Sequence, residues 1–184
     1  MALRMRTRWH KDKPRSQQEV ASAVAFIIWR IGMQALLELE NAGFITYSND
    51  HRLQVMSEFL AFLLQVTDRL SHADKMDDAD RQAFILAIAK NLVRTFAENK
   101  TELLGVGDYV QPLVSLLNQR ADEYAELSFA GGEAKMDFLR HFGTCLQSTM
   151  SGEQDKYWIV QRAIELEGPQ AIKQLKKALE DLAD

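Results

Sequence analysis

Apolar residues recur at three- and four-residue steps along most of the chain, and the breaks in that rhythm coincide with its helix breakers. All three prolines (Pro14, Pro112, Pro169) and seven of the nine glycines (Gly43, Gly105, Gly107, Gly131, Gly132, Gly152, Gly168) fall at the ends of periodic stretches. That punctuation predicts long helices joined by short turns. No segment reads as a strand.

The first helix is predicted from Ser16, where Ser16-Gln17-Gln18-Glu19 matches a capping box, to near Gly43. Between Val20 and Leu39 it is apolar on almost every face, which predicts a helix at the centre of the molecule. Arg30, Gln34 and Glu38 interrupt the run before it reaches the roughly 20 apolar residues of a membrane span. The second helix, from Ser48 or Asn49 to His72, carries a heptad-like seam of Leu53, Met56, Leu60, Leu63, Thr67 and Leu70. Phe59, Phe62 and Val66 widen its apolar face, so it should meet more than one neighbour. The third, from Asp77 or Asp78 to before Gly105, buries Phe84, Ile85, Ile88, Leu92 and Phe96. Asp108 caps a fourth with Val110, Leu113, Leu117, Ala121 and Tyr124 inward, ending before Gly131-Gly132. A fifth runs from Ala134 to Met150, a short sixth from about Gln154 to Glu167, and a last amphipathic helix starts at Pro169. The expected fold is all-α, a six- or seven-helix up-and-down bundle in a single domain.

Composition supports that frame. With 184 residues, 47% hydrophobic and 26% charged, the chain can bury one core and is not disordered throughout. A single cysteine, Cys145, allows no intrachain disulfide, which favours a reducing compartment, with the cytoplasm as the expectation. Charge is uneven. Residues 1–15 hold six cations (Arg4, Arg6, Arg8, Lys11, Lys13, Arg15) against Asp12, a net +5, while the rest has 16 Lys/Arg against 25 Asp/Glu, a net −9. The chain therefore reads as a basic N-terminal arm, 1–15, on an acidic bundle, 16–184. An acidic bundle repels phosphate backbones. Nucleic acid or membrane is expected as a partner only if the arm, with Trp9 among its cations, engages a polyanion. The arm lacks the apolar core of a secretory signal.

Two clusters carry candidate chemistry. Asp137, His141 and Cys145 are spaced four residues apart, so all three project from adjacent turns of the fifth helix. Carboxylate, imidazole and thiolate are all ligands of zinc or a related transition metal. The bland alternative is a local Asp137–His141 pair with Cys145 as a small buried hydrophobe. At the start of the second helix, Asp50 and His51, with Glu58 two turns on, offer a carboxylate-paired histidine, or simple capping chemistry. Asp68 and His72, four residues apart, read as a helix-surface pair. Asp50-His51 followed by the helix containing Phe59-Leu60 resembles the Asp-His motif of the all-helical cytoplasmic chaperones for molybdoenzymes, without the proline usual before it. The resemblance implies a chaperone role and covers only this part of the chain.

There is no HExxH, GxSxG, P-loop or di-iron Glu-x-x-His pair, and no motif calls for a cofactor. The expectation is a non-enzymatic interaction protein, an adaptor or assembly chaperone, paired with a protein partner or a second copy of itself. The rivals are a helical metal- or small-ligand-binding enzyme and a polyanion binder working through the arm.

Overall fold

The computed structural model describes residues 16–150 and 156–183. The elements are α1 (Gln17–Asn41), α2 (Asn49–Ala73), α3 (Asp78–Leu104), α4 (Val110–Ala125), the strands β1 (Phe129–Ala130) and β2 (Glu133–Ala134), α5 (Met136–Thr149), α6 (Lys156–Arg162), a π-helical turn (Ala163–Glu167) and α7 (Gly168–Ala183). The fold is all-α. Gln17, opening α1, donates to the Asp80 carbonyl at the start of α3 (3.2 Å), whereas Asp50, opening α2, meets Lys100 near the end of α3 (2.6 Å). Helices α1 and α3 therefore run one way and α2 the other, as an up-and-down bundle requires. The basic arm lies outside the described residues.

The capping box forms as expected: the Glu19 amide donates to the Ser16 hydroxyl (3.2 Å) and the Ser16 amide donates to the Glu19 carboxylate (2.8 Å). Such a cap contributes about 1 kcal/mol.

The central helix is α2, not α1. Every residue from Val55 to Thr67 is buried, and α2 packs against α1, α3, α4, α5 and α7. Helix α1 lies at the side. Phe26 is 54% exposed and Leu37 41%, and only 44% of its most apolar 18-residue window is buried. Among the described residues α1 is the one helix long and apolar enough to cross a membrane. Apolar coverage on all faces misled because it measures composition, not contact. The polar residues Arg30 and Gln34 share the outward face of α1 with Phe26 and Leu37, whereas α2 holds one charge, Glu58, within its buried run.

Two local features depart from the sequence reading. Gly131 and Gly132 have φ of 66° and 71° and turn a minimal hairpin, pairing Phe129 with Ala134 and Ala130 with Glu133. Successive left-handed residues are what a two-residue turn of this hand demands, and glycine supplies them without strain. The expected break at Gly168-Pro169 is absent: α6, the π turn and α7 follow one another directly. The Gly168 amide reaches back five residues to the Ala163 carbonyl, and Pro169 brings no amide to be satisfied. A β-carbon at Gly168 would sit 2.7 Å from that carbonyl oxygen and 2.8 Å from Leu139 Cδ2, so the turn's own backbone leaves no room for a larger residue.

Beneath the region where α2, α4 and α5 meet lies an aromatic cluster. Phe62 and Phe142 stack at 4.0 Å, Phe59 meets Phe142 edge-on at 5.1 Å, and Tyr124 leans on Phe138 at 4.5 Å. All five rings are buried. Each contributes about 1.5–3 kcal/mol through removal from water, and together they fix the helices that carry the polar groups above them.

Candidate functional site

Glu58 is the charge that the buried stretch of α2 must neutralise, and α4 supplies the partner. Arg120 donates from Nε to Glu58 Oε2 (2.9 Å) and from Nη2 to Oε1 (2.8 Å), and from Nη1 to Glu123 Oε2 (2.8 Å). The fork geometry of guanidinium matches a carboxylate in this way. The paired hydrogen bonds to Glu58 raise the Arg120 pKa above its ordinary value, against the opposing effect of burial. Burial raises the Glu123 carboxyl, but hydrogen bonds from Gln119 and Arg120 outweigh it and hold that carboxyl below its usual range.

The network continues onto α5. His141 Nε2 lies 2.9 Å from Glu123 Oε2 and 3.5 Å from Cys145 Sγ, and its ring meets Tyr124 edge-on at 4.8 Å. The ligand atoms of Glu123, His141 and Cys145 all lie within 4.8 Å of one another. Burial, reinforced by the Glu58 charge, pushes the Cys145 thiol up to about 12. One turn on, the Thr149 hydroxyl approaches Glu58 Oε1 at 3.5 Å and donates to the Cys145 carbonyl at 3.0 Å.

Of the trio Asp137, His141 and Cys145, the last two come together and Asp137 stands apart. Its Oδ2 accepts from the Ser128 amide (2.9 Å), which ties the hairpin to the start of α5 and holds the carboxyl below its usual range. Glu123 takes the place the spacing had given to Asp137. Four-residue spacing puts side chains on one helix face but does not say which neighbouring helix faces them.

Asp50, His51 and Glu58 do not converge on a common point. Asp50 accepts from Lys100 (2.6 Å) and Gln54 (2.7 Å), and the Lys100 hydrogen bond lowers its pKa. The Tyr47 amide donates to His51 Nδ1 (3.1 Å), so Nε2 carries the proton that reaches the Thr149 carbonyl (3.0 Å). His51 thereby pins the α1–α2 turn to the end of α5. Asp68 is taken by Arg81 rather than by His72. Arg120, Glu123 and Thr149 were missed by the sequence reading. The usable signal was Glu58 itself, a lone charge in an apolar run that required a cation from elsewhere.

A helical bundle with a charged cluster buried among three helices is the class that fold and site define. No protein-family model, curated protein or solved structure matches the chain.

Proposed function

We propose that the chain is a non-enzymatic interaction protein of the adaptor or assembly-chaperone type, working through one apolar end of its bundle. The observation that carries this reading is the placement of exposed hydrophobic side chains. Of the eleven large ones exposed among the described residues, six (Ile45, Tyr47, Leu103, Leu104, Val106 and Val110) sit on the α1–α2 and α3–α4 connections and their flanks. The Asp50–Lys100 pair holds those connections at the same end. Val106 is 98% exposed. Exposed apolar side chains gathered in one region mark interaction surfaces more often than chance scatter.

The margin of this end is acidic, with Glu98, Glu102 and Asp108 exposed. The complementary occupant is apolar and cationic. Residues 1–15 have that chemistry: Met1, Leu3, Met5 and Trp9 alternate with Arg4, Arg6, Arg8 and Lys11. Ser16 lies at the opposite end of α1, about 37 Å away along 25 residues. Fifteen extended residues span about 50 Å, so within one molecule the arm would be stretched along the bundle side. We assign the occupant to the arm of a second copy, which is not tied to the far end of the same α1. The lone cysteine favours a reducing, cytoplasmic setting.

Light scattering of the full chain across a wide concentration range tests this. A dimer that dissociates with added salt, and with Leu103→Asp plus Val106→Asp, is the expected result. A 21.0 kDa particle throughout would remove the second copy as the occupant and leave the apolar end to a different protein.

A further inference from the structure

We infer that Glu123, His141 and Cys145 form a binding site for a divalent transition metal of the zinc and cobalt type, bridging α4 and α5. The donor set is carboxylate, imidazole and thiolate, the borderline combination that such ions take in preference to magnesium or calcium. The separations fit. Metal–nitrogen and metal–sulfur bonds of about 2.05 and 2.3 Å at a tetrahedral angle place the two donors about 3.6 Å apart, and His141 Nε2 lies 3.5 Å from Cys145 Sγ. Glu123 needs only a side-chain adjustment, for which its 31% exposure leaves room.

Charge points the same way. Glu58 and Glu123 carry two negative charges and Arg120 one positive, so with a neutral imidazole and a thiol the cluster holds a net −1. A divalent ion that displaces the thiol proton brings the total to zero, with that proton released to solvent. The Arg120 charge opposes a cation, and its Nη1 donates to Glu123 Oε2, but two of its hydrogen bonds are directed to Glu58, and among the described residues Glu123 Oε1 accepts from Gln119 alone. The solvent side of the cluster, where His141 is 25% exposed, leaves a fourth position for water.

Burial of Cys145 is consistent with this role. A coordinating ion displaces the thiol proton, and the raised proton affinity of the buried thiol makes that binding strengthen steeply as pH rises. The site is separate from the apolar end and stands or falls independently of the interaction reading.

The test is titration of the chelator-treated full chain with cobalt(II). The expected result is equimolar binding with a thiolate-to-cobalt charge-transfer band in the near ultraviolet, displacement by zinc, and one proton released per ion. Cys145→Ser, nearly isosteric, should abolish the band, and Glu123→Gln should weaken binding by at least about tenfold. Asp137→Asn should leave both unchanged. Circular dichroism and a melting curve for each variant establish that it is folded, and zinc should raise the melting temperature of the parent but not of Cys145→Ser. No stoichiometric binding by the parent, or an undiminished band in folded Cys145→Ser, overturns the site. Loss on Asp137→Asn with retention on Glu123→Gln overturns the ligand set.

Discussion

Arg120 grips Glu58 through two parallel hydrogen bonds of 2.9 and 2.8 Å where their side chains are only 11% and 5% exposed. Burying two charges costs several kcal/mol each, and mutual attraction offsets this only when geometry is good and the remaining polar atoms are satisfied. Here they are: Thr149 and Glu123 take up the rest. Removing one partner strands the other, so Glu58→Leu or Arg120→Met alone should each cost about 3–5 kcal/mol. The double variant should cost much less than the two together. Urea denaturation of all four proteins gives the coupling, and additive losses would mean that the pair is not an energetic unit.

Cys145 shows a second consequence of the same burial. With its thiol pushed up to about 12, little thiolate exists near pH 8, and the sulfur is screened by its neighbours. Alkylation of metal-free native protein by iodoacetamide should be at least about a hundredfold slower than in denaturant. Mass spectrometry of timed aliquots measures it, and comparable rates in the two states would place Cys145 at the surface.

Glu167 predicts a pH dependence of definite sign. It lies in the π turn, almost wholly buried, accepting from Arg162 Nε at 2.7 Å. Burial raises its pKa despite that partner, and Glu38 nearby adds to the rise. A carboxyl whose folded pKa lies above its unfolded value binds its proton more tightly when folded, so its ionisation weakens the fold as pH increases from the unfolded value through the folded one. Glu167→Gln relieves that burden, and Arg162, partly exposed, keeps water as a partner. The variant should melt at or above the parent near pH 7, with the advantage shrinking as pH falls through the raised folded value and gone below about 4.3. A variant less stable at neutral pH than at pH 4, relative to the parent, would mean that the Arg162 ion pair outweighs desolvation.

The helices were legible because their signals are local. A capping box at Ser16, glycines at turns and three-four spacing in α2 each act within a few residues, and each is where the sequence puts it. The centre of the bundle was not legible, since α1 and α2 are both rich in apolar residues and only packing decides which is surrounded. Lone Glu58 within the buried run of α2 was the better clue. The Gly168-Pro169 pair was misread for a related reason: as local breakers they end helices, but here the helix runs on through a π turn closed by the Gly168 amide on the Ala163 carbonyl. At the site, His141 and Cys145 were legible from i,i+4 spacing. Glu123 was not, because the third member comes from another helix, and no periodicity within α5 reveals what α4 presents to it.

The arm supplies the last prediction. Its six cations sit in a chain whose remainder carries a net −9, so electrostatics alone draws it to acidic protein surface or to a polyanion. If the arm of one copy covers the apolar end of another, deleting residues 1–15 should convert the dimer to a monomer while helix content stays the same. Glu102→Lys together with Asp108→Lys in the full chain should then weaken the dimer too, since the rim would repel the arm. A polyanion-binding arm behaves differently. The deletion would leave association state and melting temperature unchanged and abolish binding to RNA, DNA or anionic vesicles, and that binding would fall steeply with salt through counterion release. The rim variants separate the two cases, because reversing Glu102 and Asp108 adds positive charge. A dimer contact through that rim loses affinity, whereas attraction to a polyanion is kept or strengthened.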